Sequence, residues 1–308
     1  MRRFKNIMFV ADVGNNQKYA LTRAMDLAKS NQAKLTVIDV IKEISFDSTD
    51  SESINKADYF QDILIEDRRK ELEQLVKSVA IKHQYAPASI EIRTGKEFIE
   101  IIRTVIHNKH DLLIKLGKGS FGFVQRMFGS TDLKLIRKCP CPVWIIKKTK
   151  RKRFSRILAA VDPDPTRSES LNRLILDLAT SLAKKEKSEL HVVHAWQFEN
   201  ETVLKSGQIP KKELYELIDG MQNAHQHQFD LLLSHYRSHK KTIHIIKGDP
   251  GEVIPNLASQ QDVDLIVMGT VGRTGITGLI MGNTAEEILN AVDCSVLTVK
   301  PEGFKFAV

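Results

Sequence analysis

Apolar residues fall in short unbroken runs separated by longer stretches where they recur every three or four positions. In the C-terminal half the runs are 155–161, 189–195, 242–247, 263–268 and 295–300. Runs of this length without polar alternation predict strands covered on both faces. The stretches 167–185, 211–237, 251–260 and 284–292 carry the spacing of amphipathic helices. A βαβαβαβαβ order requires right-handed crossovers, hence a five-stranded parallel sheet with helices on both sides. The N-terminal half reads alike, with a long second helix over 59–84 and a polar stretch from Ser45 to Lys56 that predicts a loop.

The two halves are one pattern written twice. Asp111-Leu112-Leu113-Ile114-Lys115-Leu116 recurs 153 residues on as Asp264-Leu265-Ile266-Val267-Met268-Gly269. At that offset Gly95 meets Gly248, Gly119 meets Gly272, Gly122 meets Gly275, Gly129 meets Gly282, and Cys141 meets Cys294. The starts agree with a small shift, Ile7 to Asp12 resembling Ile157 to Asp162. A repeat of this length implies duplication and two tandem doubly wound α/β domains, 1–149 and 153–308. The two repeats are expected to pair with each other inside the chain, as two single-domain copies would.

Charge is unevenly divided between them. The chain carries +8, yet residues 1–153 hold 30 of the 46 Lys and Arg and 18 of the 38 Asp and Glu, a surplus of 12; the remainder is −4. Part of the surplus is the run Lys147-Lys148-Thr149-Lys150-Arg151-Lys152-Arg153 at the junction, which reads as a solvated linker and not as a specific nucleic-acid site. No signal peptide or apolar stretch of membrane-spanning length is readable, and three cysteines are too few for a disulfide framework. A cytoplasmic, reducing location follows as the simplest expectation.

Where the fourth strand of the second repeat ends, the chain reads Gly269-Thr270-Val271-Gly272-Arg273-Thr274-Gly275, then Gly278, then Gly282-Asn283-Thr284-Ala285-Glu286, a G-x2-G-x9-G spacing on a strand-loop-helix unit. Glycines there expose backbone N–H groups to an anion, and the helix beginning after Gly282 adds its partial positive charge, about 0.3–1 kcal/mol. In a sheet of order 3-2-1-4-5 the first and fourth strands are neighbours, so Asp162 would lie beside Gly269, at the crevice where such folds bind ligands.

These residues, and nearly all 308, resemble the universal stress protein family, in its E-type form with two domains in one chain. The resemblance implies the adenine nucleotide alpha hydrolase-like fold and a non-enzymatic stress-response protein. Its ATP-binding members use a first-strand aspartate, the glycine loop, and a hydroxyl after the last glycine. Carried over, the site is Asp162, Met268, Gly269, Gly272, Gly282, Asn283 and Thr284, with ATP or AMP as ligand and Mg²⁺ accompanying ATP. Asn283 stands where the hydroxyl is expected, and with Glu286 it can instead form a capping box that needs no ligand. A carrier of a lipid-like metabolite and a ligand-free interaction scaffold are the alternatives. A homodimer is a further expected partnership.

The first repeat departs further, reading Leu116-Gly117-Lys118-Gly119 and then Gly129-Ser130-Thr131. Its candidates are Asp12, Gly119, Gly129 and Ser130, with Lys115, Lys118 and Arg126 bringing charge. If the position of Leu116 requires a left-handed backbone, leucine costs about 1–2 kcal/mol. The second repeat is therefore expected to bind more tightly.

Other chemistry is discounted. No G-x4-G-K-[ST] motif occurs. Cys139-Pro140-Cys141 lacks C-x-x-C spacing, so the cysteines read as small residues opening the fifth strands. His191 and His194 lie on opposite faces of a strand, His225 and His227 diverge on a helix, and only His235 and His239 share a helical face; surface histidines are expected. The apolar rows Leu64, Leu72, Leu75, Val79 and Leu214, Leu217, Met221 read as packing faces or, in the carrier alternative, as the wall of an acyl groove.

Overall fold

The computed structural model describes residues 3–12, 17–44, 51–83, 85, 89–117, 128–148, 153–163, 169–198, 210–236, 239–270 and 281–301. Their strands and helices divide between two compact units. The first holds β1 (Asn6–Val10), α1 (Lys18–Asn31), β2 (Lys34–Ile41), α2 (Ser51–His83), β3 (Ser89–Thr94), α3 (Glu97–His107), β4 (Leu112–Leu116), α4 (Ser130–Lys138) and β5 (Val143–Ile146). The second holds β6 (Arg156–Ala160), α5 (Glu169–Glu186), β7 (Glu189–Trp196), α6 (Lys211–Leu233), a short 3₁₀ turn over Ser234–Tyr236, β8 (Lys241–Lys247), α7 (Pro250–Gln260), β9 (Leu265–Gly269), α8 (Asn283–Ala291) and β10 (Ser295–Val299).

Within each unit the strands run parallel in doubly wound order, β3-β2-β1-β4-β5 and β8-β7-β6-β9-β10. In the first, Ile7 pairs with Leu35 and Leu112; in the second, Ile157 pairs with Leu190 and Leu265. The central runs are fully buried, among them Ile7, Met8, Phe9, Leu113 and Ile114 of one sheet and Ile157, Leu158, Ile266 and Val267 of the other. Apolar burial of this kind, worth roughly 25 cal/mol per Å², carries most of the stability of each unit.

The repeated residues explain themselves in space. Asp111 accepts N–H bonds from Lys5 at 2.6 Å and Asn6 at 3.0 Å, and Asp264 accepts from Ser155 at 2.6 Å and Arg156 at 3.1 Å. Each aspartate thus ties the start of its fourth strand to the start of the first. Gly95 and Gly248 are the two glycines with a left-handed φ among the described residues, +131° and +150°. Their N–H groups bond Ile41 O and Trp196 O at the end of the neighbouring strand. A side chain at either position would strain the turn into the third helix of its unit.

Two expectations change. The stretch from Ser45 to Lys56 is not all loop: residues 51–56 form the start of α2, and the helical period was hidden because residues 55 and 56 face solvent before Ala57 turns inward. His235 and His239 do not share a helical face, because α6 ends at Leu233 and His235 sits in the 3₁₀ turn.

Candidate functional site

The second unit assembles its candidate residues where β6 and β9 end side by side. Val161 N–H is held by Val193 O at 3.0 Å, and Asp162 N–H by the Asn172 side chain at 3.0 Å, with Asn172 Nδ2 donating back to Asp162 O. The buried amide of Asn172, on α5, thereby fixes the turn that carries Asp162. Met268 is buried at the end of β9. Gly269 has ordinary extended geometry; its lack of a side chain matters because a Cβ there would come within 2.8 Å of Leu171 Cδ2. Thr270 N–H bonds Val299 O at 3.1 Å, and Thr270 O receives Gly282 N–H at 3.0 Å. That bond brings the two ends of the glycine segment together.

Thr270 is 1% exposed and its hydroxyl has no hydrogen-bond partner, a cost of about 1–3 kcal/mol if nothing answers it. Beside it α8 begins at Gly282 (φ −62°, ψ 145°) with no side-chain cap. The capping box expected of Asn283 does not form, because Gly282 and not Asn283 is the capping residue, and Asn283 and Thr284 are exposed within the first turn. Gly272 lies outside the described residues.

The first unit is built differently at the same place. Lys115 and Asp132, which occupy the places of Met268 and Ala285, form an ion pair of 2.9 Å with both side chains 1% exposed. Asp132 also accepts the N–H of Gly129, the capping residue of α4, at 3.3 Å. Thr131 donates to the Glu97 carboxylate at 3.2 Å. The expectation that Lys115 offers charge to an anion at Ser130 is therefore corrected, since its ammonium is consumed by Asp132 in the interior. The left-handed argument for Leu116 is corrected too: neither Leu116 nor Gly269 has a positive φ. Ser130 is exposed, Asp12 sits half-buried at the end of β1, and Gly119, Lys118 and Arg126 lie outside the described residues.

Asp39, near the end of β2, is a group that sequence reasoning missed. It is 5% exposed, and burial pushes its carboxyl up from 3.8 to about 6, opposed by Arg68 and by the Val40 N–H and aided by the charges of Asp12 and Glu97. Arg68 Nε of α2 stands 3.6 Å from it. The histidines are corrected as well: His191 and His194 are buried, not surface residues. His191 Nδ1 lies 3.0 Å from His244 Nε2, and His194 Nε2 lies 3.0 Å from His225 Nδ1.

Among the described residues no three His, Cys, Asp or Glu side chains converge as metal ligands, and no helix is long and apolar enough to cross a membrane. The three cysteines are buried thiols, Cys139 and Cys141 with sulfurs 3.5 Å apart. Of the apolar rows, Leu72, Val79 and Leu214 are buried, whereas Leu64 and Leu217 are exposed.

Two tandem α/β units of doubly wound order, each passing from its fourth strand to a helix that begins at a glycine, define the class of the protein. The universal stress protein family matches residues 3–147 and 153–300. The chain belongs to that family. It is 27% identical over 311 residues to Universal stress protein E of Escherichia coli (strain K12), covering 99% of this chain and 96% of that one, and 26% identical to the Universal stress protein E homolog of Haemophilus influenzae, covering 97% and 98%. Its fold is shared with a functionally unknown protein from Pseudomonas aeruginosa PAO1 (TM-score 0.73, 23% identity, 98% of this chain and 94% of that one). A universal stress protein from Archaeoglobus fulgidus shares it too (TM-score 0.61, 18% identity, covering 96% and 98%).

Proposed function

We propose that this universal stress protein is a non-enzymatic, cytoplasmic component of a stress response whose second unit binds an adenine nucleotide, ATP or AMP, as a regulatory ligand. The observation that supports the reading is the buried Thr270 hydroxyl without a partner, beside the uncapped start of α8. A phosphate oxygen accepts from a hydroxyl and from helix N-terminal N–H groups alike, so one anion would satisfy both. Asp162, Met268, Gly269, Gly272, Gly282, Asn283 and Thr284 are the residues that would hold it, with Mg²⁺ accompanying ATP. In the first unit Asp132 and Glu97 already place carboxylates on Gly129 N–H and on Thr131.

The test is mass spectrometry of ligands retained by protein purified without added nucleotide, followed by calorimetry with ATP and AMP, with and without Mg²⁺. A Kd below about 1 mM, equivalent to about 4 kcal/mol, is expected. Gly282→Val should abolish it, while Gly129→Val leaves it nearly intact. Absence of affinity, or the opposite ranking of the two variants, overturns the reading.

A further inference from the structure

Strand β7 carries a pair of imidazoles on each of its faces. His191 meets His244 of the edge strand β8, the rings nearly parallel at 7° with centroids 5.3 Å apart. Three residues on, and so on the other face, His194 meets His225 of α6, whose ring also stacks on Trp196 at 4.9 Å. At 3.0 Å one nitrogen of each pair must donate and the other accept, so each pair requires at least one neutral ring. If both rings were charged, every ring nitrogen would carry a proton and the contact would become a repulsion between buried cations.

The charged groups around the first pair are Glu189, 3.9 Å from His191 Nε2 and too far to hydrogen-bond, and Arg156 of β6. Glu189 is itself exposed, so water screens its support of that pair. Burial, before any charge, holds His191 and His244 below the ordinary imidazole range.

The register places Thr36 and Asp39 of β2 where β7 has His191 and His194, since Asn6 pairs with Lys34 as Arg156 pairs with Glu189. In the first unit those positions make a Ser89-to-Thr36 hydroxyl bond of 3.1 Å and the Asp39–Arg68 ion pair. No imidazole takes part in either.

We propose that the His191–His244 pair makes the edge strand β8 an acid-released element of the second unit: below about pH 6 a second proton on the pair favours the parting of β8 from β7. This holds with or without a nucleotide. The pair withholds one proton that the open state takes up, which favours opening about tenfold at pH 5.5, one unit below the ordinary imidazole value of about 6.5.

Hydrogen exchange of the full chain at pH 7.5 and 5.5, corrected for intrinsic rates, tests this without added ligand. Segments 189–196 and 241–247 should lose about tenfold in protection, and the equivalent strands 34–41 and 89–94 of the first unit should not. In His244→Gln, which keeps a hydrogen-bonding group but removes the shared proton, the loss should shrink to less than about threefold. Equal loss in the two pairs of strands, or an undiminished loss in the variant, overturns the proposal. Should that variant fail to fold, NMR titration of His191 and His244 in the unaltered protein decides: one ring still neutral at pH 6 supports it, and two rings titrating independently near 6.5 overturn it.

Discussion

Helices α4 and α8 begin at equivalent glycines with nearly the same backbone, φ −63°, ψ 157° at Gly129 and φ −62°, ψ 145° at Gly282, yet the chemistry in front of them is opposite. The first unit brings its own anions: Asp132 on Gly129 N–H and Glu97 on Thr131. The second has Ala285 and Pro250 at those places, and leaves a buried hydroxyl unanswered. Duplication has kept the scaffold and exchanged what fills it. A helix N-terminus attracts negative charge from wherever it is available, so an internal carboxylate and an external phosphate compete for one role.

The largest expected effect is on the Lys115–Asp132 pair. Removing one partner leaves an uncompensated charge in the interior, so Asp132→Ala alone should cost about 3–5 kcal/mol in denaturant unfolding of the full chain. Replacing both, Lys115→Met with Asp132→Ala, reproduces the pair that the second unit uses and should recover most of that loss. Losses that merely add in the double variant would mean the two charges do not depend on each other.

Much of this contrast was present in the sequence, and some of it was misread there. The parallel sheets and the unit-by-unit repeat follow from apolar runs and glycine spacing, because strands buried on both faces read as unbroken apolar runs, whereas the strand order came with the family resemblance, since the same runs fit more than one doubly wound order. Lys115 was the overlooked signal: a lysine inside Leu112-Leu113-Ile114-Lys115-Leu116 sits in a strand covered on both sides and demands a counter-charge. Its partner lies 17 residues away on another element, which pattern alone does not reveal. The need for a left-handed glycine was assigned to the wrong place; it belongs to Gly95 and Gly248, whose role is in the turn and not in the crevice. The histidine pairs join residues 31 and 53 positions apart and were invisible to any i, i+4 rule.

Acid sharpens the comparison because buried groups answer it with opposite sign, and in the first unit Asp39 is opposed by His110, which burial holds below the ordinary imidazole range. Asp39 titrates near 6 folded against 3.8 unfolded, so the folded state holds its proton more tightly. That contribution is fully present below 3.8 and is lost as the pH rises through about 6. At roughly 1.4 kcal/mol per pH unit it amounts to about 2–3 kcal/mol, and Asp39→Asn should remove that much of the pH dependence between 4 and 6.5. His191 and His244, held low by burial, act in the other direction, with stability present above about 6.5 and lost below it. Urea unfolding across this range separates them, since Asp39→Asn should leave the acid-induced weakening of the second unit untouched. An Asp39→Asn protein with the pH profile of the unaltered chain would remove Asp39 from the account.

The smallest effect concerns Leu116, the substitution that made the first repeat look damaged. Because neither Leu116 nor Gly269 is left-handed, Leu116→Gly relieves no strain. It should instead lower stability by about 1 kcal/mol through the added freedom of the unfolded chain and lost contact. It should also leave the first unit without nucleotide affinity, as judged by calorimetry in a Gly282→Val background. In the reciprocal Gly269→Ala, the new methyl meets Leu171 Cδ2 at 2.8 Å, the flexible end of a side chain that can shift, so the cost should stay near 1 kcal/mol. Nucleotide binding by the Leu116→Gly protein in that background would show that the lost glycine, and not the carboxylates of Asp132 and Glu97, is what closes the first unit.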